Sequence, residues 1–173
     1  MSNRASDAGF SLVEVLIAML IVTIGAFALQ GAVVLAARKI TGSQEQFIAS
    51  QRAAEAIESV FKARDNRVLT WAQIRNVANG GVFTNGALPV RDPGADGLSN
   101  TADDGALAAV VRPGPDGLLG TADDISQPLF GFTRQIEITD LSNTLRQLRV
   151  TVRFRSSTGT GQFVLVTYVS SYA

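Results

Sequence analysis

Hydrophobic residues dominate the chain from Phe10 to Ala37, and Glu14 is the only ionisable side chain in that run. About 20 apolar residues are enough to cross a bilayer core of roughly 30 Å as a helix. The pattern therefore predicts a membrane-spanning helix over residues 10–37. A carboxylate inside such a run costs roughly 2.5 to 3.5 kcal/mol on insertion scales, so an acid there indicates a partner or a function.

Beyond Ala37 the apolar spacing becomes that of an amphipathic helix, which we predict over residues 38–64. Its predicted apolar face consists of Phe47, Ser50, Ala54, Ile57 and Phe61. A short helix is predicted next, because residues 70–73 fit a T-x-x-Q capping box and residues 79–81 supply a stop. Trp71, the only tryptophan, is predicted to anchor the core.

From Phe130 onward the apolar period is two, which predicts three strands of an antiparallel sheet over residues 130–171. The positions predicted to face the core are Phe130, Phe132, Ile136, Ile138, Leu148, Val150, Val152, Phe154, Phe163, Leu165 and Val169, interrupted by Arg134. The predicted fold is α+β, with a long N-terminal helix packed on a C-terminal sheet in a globular domain of residues 65–173.

Three arginines, Arg149, Arg153 and Arg155, alternate with the core positions of the second strand and form a basic stripe on its opposite face. Two interpretations are open. The stripe is either a solvated face, or a contact between subunits in which it meets acidic loops of a neighbour.

Composition narrows the possible functions. The 173 residues include 15 basic and 15 acidic residues, and they include neither histidine nor cysteine. Histidine is the commonest acid–base catalyst and a common metal ligand, and no serine is placed with a base, so the sequence does not predict an enzyme. The sequence contains no basic patch of the kind that would indicate nucleic-acid binding. A cysteine-free domain outside the cytoplasm has no disulfide and needs another way to fix its loops.

Two acidic stretches within residues 92–125 match at an offset of 20 residues, with nine of 14 positions identical between residues 92–105 and 112–125. Seven of the ten aspartates lie there, offset only by Arg112. The stretches are either solvated turns or calcium loops, since Ca²⁺ takes six to eight oxygens from flexible Asp-rich segments. The candidate ligands are Asp96, Asp103, Asp104, Asp116, Asp123 and Asp124. Whether the copies hold one ion each or share one is left open.

The N-terminal run has three interpretations. A secretory signal peptide would be cut at residues 26–28, Ala-Phe-Ala, but its apolar core is ordinarily about half as long as this run. A plain membrane anchor with an incidental Glu14 is the second interpretation. The third follows from a resemblance to a known family.

Gly9, followed by Phe-Ser-Leu-Val and Glu14, resembles the processing site of type IV pilins and of the pseudopilins of type II secretion. The resemblance implies that a prepilin peptidase cuts between Gly9 and Phe10, removes residues 1–9 as a leader and methylates Phe10. It also implies that Glu14 is an assembly residue. The second acidic copy, residues 114–125, resembles the calcium loop of major pseudopilins.

The resemblance implies a structural subunit of a type IV pilus or a related filament, of the minor class, whose partners are other pilin or pseudopilin subunits. It places the chain in the inner membrane with a cytoplasmic N-terminus, and then in the periplasm or at the cell surface. Arg38 and Lys39 directly after the run favour the opposite orientation by the positive-inside rule. The alternatives are a type II secretion pseudopilin and a secreted or membrane-anchored calcium-binding module.

Overall fold

The structure is a computed structural model that describes residues 11–156 and 159–172, without the side chains of residues 37–43. The chain divides into two compact units, Met1–Thr41 and Gly42–Ala173. One helix, α1 (Leu12–Asp65), begins in the first unit and continues into the second. The predicted cleavage site between Gly9 and Phe10 lies outside the described residues.

In the first unit, the segment Leu12–Ala36 of α1 is long and apolar enough to cross a membrane. Every side chain from residue 11 to residue 36 is exposed within the unit. Length and hydropathy alone do not distinguish a membrane anchor from a signal sequence near the N-terminus, so they indicate membrane affinity and leave the type of segment to the sequence motif.

In the second unit, α1 buries an alanine-rich face rather than the predicted one. The buried positions are Ala49, Ala53, Ala56, Ile57, Val60 and Ala63. Only Ile57 belongs to the predicted face, and Phe47 is exposed. Alanine side chains let the helix approach the sheet closely. The prediction relied on large apolar side chains and therefore placed the buried face at the wrong angle around the helix.

The predicted short helix is wrong in type. Residues 71–79 form two separate 3₁₀ turns, Trp71–Gln73 and Val77–Asn79. The capping residues do act as predicted, because Gln73 Oε1 accepts a hydrogen bond from the Thr70 N–H at 2.8 Å. Gly80 ends the second turn with φ of 79°, a conformation that glycine adopts without steric cost.

The predicted α+β class is confirmed, since two antiparallel sheets follow the helix along the chain. The strands are β1 (Leu88–Pro89), β2 (Ala109–Arg112), β3 (Ile125–Pro128), β4 (Thr133–Asp140), β5 (Leu145–Ser156) and β6 (Gly159–Ser170). The larger sheet has the order β1-β4-β5-β6, and β2 pairs with β3 in a separate hairpin. The predicted meander is therefore β4 to β6, whereas the hairpin was missed.

The inner face of the larger sheet completes one core with the alanine face of α1. Phe130, predicted to face that core, is 78% exposed because it lies in the turn after β3. Arg134, the polar interruption, is fully buried at 0% exposure. Phe163 and Leu165 are only partly buried against the core, and Val169 is buried.

The two acidic copies differ in burial. Leu98 of the first copy is 1% exposed, whereas its counterpart Leu118 in the second is 62% exposed. The first copy belongs to the core of the second unit, and the second forms the loop between β2 and β3.

This difference gives a prediction with an internal control. Leu98→Ala should lower the free energy of unfolding by roughly 2–5 kcal/mol, since it leaves a cavity in the core. Leu118→Ala should change it by less than about 0.5 kcal/mol, as exposed substitutions do. Denaturant titration of the full chain in detergent, followed by Trp71 fluorescence, measures both. Equal losses in the two variants would contradict the assignment of the first copy to the core.

Candidate functional site

The N-terminal candidate site begins at Ser11, one residue before α1. The Glu14 N–H donates a hydrogen bond to the Ser11 carbonyl oxygen at 3.0 Å, and Glu14 lies in the first turn of the helix. An acid in the first turn is favoured by the helix dipole, and Ser-x-x-Glu has the spacing of a capping box. Sequence analysis missed this local role, although the spacing was visible. The assembly role of Glu14 and the processing at Gly9 and Phe10 stay predictions.

The first acidic copy is held together by its own aspartates. Asp103 accepts hydrogen bonds from Thr101 Oγ1 at 2.7 Å and from the Asp96 N–H at 3.1 Å. Asp104 Oδ2 accepts a hydrogen bond from the Asn100 N–H at 3.0 Å. These carboxylates therefore satisfy backbone donors of the loop, as aspartates in turns commonly do.

The second copy has the equivalent three hydrogen bonds. Asp123 accepts hydrogen bonds from Thr121 Oγ1 at 2.7 Å and from the Asp116 N–H at 3.2 Å. Asp124 Oδ2 accepts a hydrogen bond from the Gly120 N–H at 2.7 Å. The sequence repeat is thus also a structural repeat.

Each copy contains one position at which only glycine fits. A Cβ added at Gly94 would overlap the backbone and the carboxylate of Asp103, and one at Gly114 would overlap Asp123 in the same way. Each loop closes on a position that has no room for a side chain, so glycine is required there.

The same hydrogen bonds shift the acidity of two carboxyls. The hydrogen bond from Thr101 lowers the pKa of Asp103, with the Asp96 N–H acting in the same direction. The hydrogen bond from Thr121 lowers the pKa of Asp123, again with help from a backbone N–H. Because these hydrogen bonds favour the ionised form, the carboxylates support the loops above the ordinary pKa of 3.8. That support is lost as the pH falls below it.

The fit of the loops to a metal ion is partial. Within residues 11–156 and 159–172, no three Asp or Glu side chains form a group that could hold an ion. Asp124 Oδ1 nevertheless is buried and accepts no hydrogen bond from the described residues. Its counterpart, Asp104 Oδ1, accepts hydrogen bonds from the Thr101 N–H at 3.3 Å and Oγ1 at 3.4 Å. One carboxylate oxygen of the second copy thus has no hydrogen-bond partner among the described residues.

The first copy is fixed to the sheet by a buried pair. Arg134 Nε donates a hydrogen bond to Asn100 Oδ1 at 2.7 Å, and Asn100 Nδ2 donates one to the Arg134 carbonyl oxygen at 3.1 Å. Burial lowers the pKa of Arg134, while the charges of Glu55 and Asp104 oppose the shift. The pair explains how an arginine is tolerated in the core position that sequence analysis marked only as an interruption.

A second buried arginine fixes the 3₁₀ segment. Arg146 lies 3.9 Å over the ring of Trp71 and donates hydrogen bonds to the carbonyl oxygens of Trp71 and Ile74 and to Asp140. The hydrogen bond from Arg146 lowers the pKa of Asp140, and Arg75 adds to the effect. Trp71 is half-buried at the edge of the core, so its predicted role as an anchor operates through this arginine.

One protein family matches the sequence. Its model, described as the prokaryotic N-terminal methylation motif, matches residues 4–29. The match covers Gly9, Phe10 and Glu14 and extends into the apolar part of α1. Comparison with curated proteins and with solved structures gave no match.

The motif implies processing by a prepilin peptidase and assembly with other pilin subunits. It indicates a structural subunit rather than an enzyme, and it agrees with membrane anchoring through the apolar helix. The chain thus carries the N-terminal methylation motif at the start of an apolar helix, followed along the sequence by an antiparallel sheet, and this combination supports a protein of the type IV pilin family.

Proposed function

We propose that the chain is a structural subunit, of the minor class, in a type IV pilus or a related filament. The prepilin peptidase cuts between Gly9 and Phe10 and methylates Phe10. The segment Leu12–Ala36 first holds the subunit in the inner membrane, with its N-terminus in the cytoplasm, and later packs among neighbouring helices in the filament. The small size of the chain and its helix-to-sheet order support the minor class.

One observation carries this proposal. Glu14 is the only charged residue of an exposed apolar segment, and it lies in the first turn of α1. An acid near a helix start gains about 0.3–1 kcal/mol from the dipole, whereas burying it in a bilayer costs roughly 2.5 to 3.5 kcal/mol. Local capping therefore does not offset the cost, and a further partner is needed.

Cleavage after Gly9 supplies that partner. It leaves a positive amine on Phe10, four residues before Glu14, and residues i and i+4 share one face of a helix. In a bundle of such helices, the acid of one subunit neutralises the amine of its neighbour and fixes the axial register between them. The pair explains why a charge is retained in this segment.

Replacing Glu14 tests the proposal. Breaking one side of a buried ion pair costs about 3–5 kcal/mol, so Glu14→Ala should reduce incorporation into sheared filaments by at least about 100-fold. Membrane levels should be unchanged. The control is Glu58→Ala on the same helix, where the exposed glutamate forms an ion pair with the exposed Lys62 at 3.7 Å, and this variant should be incorporated normally. Normal incorporation of Glu14→Ala would contradict the proposal.

A type II secretion pseudopilin is the second candidate, since it shares the motif and the apolar helix. Loss of exoprotein secretion after deletion of the gene would identify it, while loss of surface filaments would identify a pilus subunit. A secreted calcium-binding module is the third candidate, and it requires a mature chain that begins after Ala28.

Calcium binding by the acidic copies is part of the proposal. It is supported by the unpaired Asp124 Oδ1 and by the six aspartates that the two loops present. Asp116 and Asp123 are the neighbouring carboxylates in the second copy, and Asp96, Asp103 and Asp104 are their counterparts in the first. An ion would supply positive charge to a segment rich in carboxylates and would fix the loops in place of a disulfide.

Thermal unfolding of the full chain in detergent tests calcium directly. A ligand at 100 times its dissociation constant stabilises by about 2.7 kcal/mol, so millimolar Ca²⁺ should raise the melting temperature by several degrees relative to chelator. Asp124→Asn should reduce the shift, and Mg²⁺ should produce little, since it prefers fewer protein ligands. An identical melting temperature with Ca²⁺ and with chelator would overturn the calcium proposal.

A further inference from the structure

The second acidic copy projects apolar side chains that no described residue covers. We call the β2–β3 hairpin, together with the loop of residues 113–124 that joins its strands, the acidic arm. Leu118 and Leu119 at its tip are 62% and 65% exposed, beside the carboxylates of Asp116 and Asp123. Two adjacent exposed leucines among acids form a small amphipathic surface, of the kind that marks an interaction site.

The first copy shows how this loop geometry docks on a sheet. The counterparts of Leu118 and Leu119 are Leu98 and Ser99, and both are buried. Beside them, Asn100 accepts a hydrogen bond from a sheet arginine, Arg134, at 2.7 Å. In the copy that is covered, the leucine therefore enters an apolar surface and the loop lies against a guanidinium of β4. The second copy has the equivalent hydrogen bonds from the Asp116, Leu118 and Gly120 N–H groups to its aspartates, but no described residue covers its leucine.

A surface of matching chemistry lies on the outer face of β5 and β6. We call it the basic face, and its exposed residues are Arg149, Arg153, Arg155, Val164, Val166 and Tyr168. In the register of the sheet, Arg149 lies opposite Val166, and the strand edge of the face is β6. The face thus presents guanidinium groups on β5 beside apolar side chains on β6. An acidic loop that carries leucines needs both, because its carboxylates require positive charge and its leucines require an apolar surface.

The charges of the basic face are largely unpaired. None of its arginines is within 4 Å of a carboxylate in the described part of the chain, and Arg153 donates only a long hydrogen bond to Gln135, at 3.4 Å. Glu137 of β4 lies opposite Arg149 in the register and is the one acid on this side of β4 and β5 near the stripe. Three positive charges against one negative charge leave the face basic.

We propose that the acidic arm of one copy docks on the basic face of a second copy of this chain. Leu118 and Leu119 then cover Val164 and Val166, and the carboxylates of the tip face Arg149 and Arg153. The two surfaces differ, so the contact is heterologous: each copy that offers an arm still presents a free face, and such contacts extend into chains. The contact rests on the filament part of the proposed function and not on the minor class, because assembly is what brings two copies side by side.

The absence of cysteine from the chain makes the contact measurable by cross-linking. Full-length chains carrying Leu118→Cys, Val166→Cys or both are expressed in cells and treated with a short, thiol-specific bismaleimide. All products are examined in the membrane fraction and in sheared filaments. Both positions are exposed, so neither substitution threatens the core. The control replaces Val166→Cys by Val77→Cys, which is more accessible, at 55% exposure against 38%, but lies outside the basic face.

The double variant should give dimers and higher multiples, and a mixture of the two single variants should give dimers only. The control pair should yield at least about tenfold less product. Arg149→Glu with Arg153→Glu, added to the double variant, should reduce the yield about tenfold, whereas lysine at both positions should retain it. This charge dependence separates a docked contact from random collision.

The outcomes separate this inference from the proposed function. A chain that enters filaments but gives no multiples above the control pair overturns the contact and leaves the filament subunit intact. Products that contain a different protein instead of a second copy also overturn it. A ladder in the membrane fraction, from chains that never enter filaments, supports the contact and contradicts the filament function.

Discussion

The function follows from one constraint: the apolar side chains of Leu12–Ala36 are exposed within their own unit. Water is an unfavourable medium for Leu12–Ala36, so the segment needs a bilayer or the helices of other subunits. Glu14 adds a second requirement, because its charge must be neutralised in either environment. In the proposed function, proteolysis after Gly9 supplies the cation, an amine four positions before Glu14 in the sequence, and this would tie membrane storage, processing and assembly to one pair of charges.

The duplicated acidic loop shows one local structure used in two settings. Aspartates, a threonine and close glycine contacts fix the backbone in both copies by the same hydrogen bonds. Five of the 14 positions differ, and two of these explain the different settings: Ser99 and Asn100 in the first copy correspond to Leu119 and Gly120 in the second. The first copy is thereby joined to Arg134 and the core, while the second is left with an apolar tip. A stable loop that carries its own hydrogen bonds can be presented on the surface without support from the core.

Elements with a regular alternation of apolar and polar residues could be predicted from the sequence. Features that depend on contacts between distant residues could not. The alternation from Leu148 to Phe154 gave the core face of β5, since a strand places every second side chain on one side. The buried face of α1 was misplaced, because its alanines carry little hydrophobic signal. The burial of Arg134 depends on Asn100, 34 residues away, and no local pattern records that pair. At the N-terminus, the motif of Gly9, Phe10 and Glu14 was recognisable because it is read as a linear sequence.

The mass of the mature N-terminal peptide tests the central claim most directly. Intact-mass and peptide analysis of the protein from its native membrane should show loss of residues 1–9 and an N-terminal Phe10 that is one methyl group heavier. A mature chain that retains Met1 or Gly9, or one that begins at Leu29, would contradict the account, because the amine that neutralises Glu14 would then not exist.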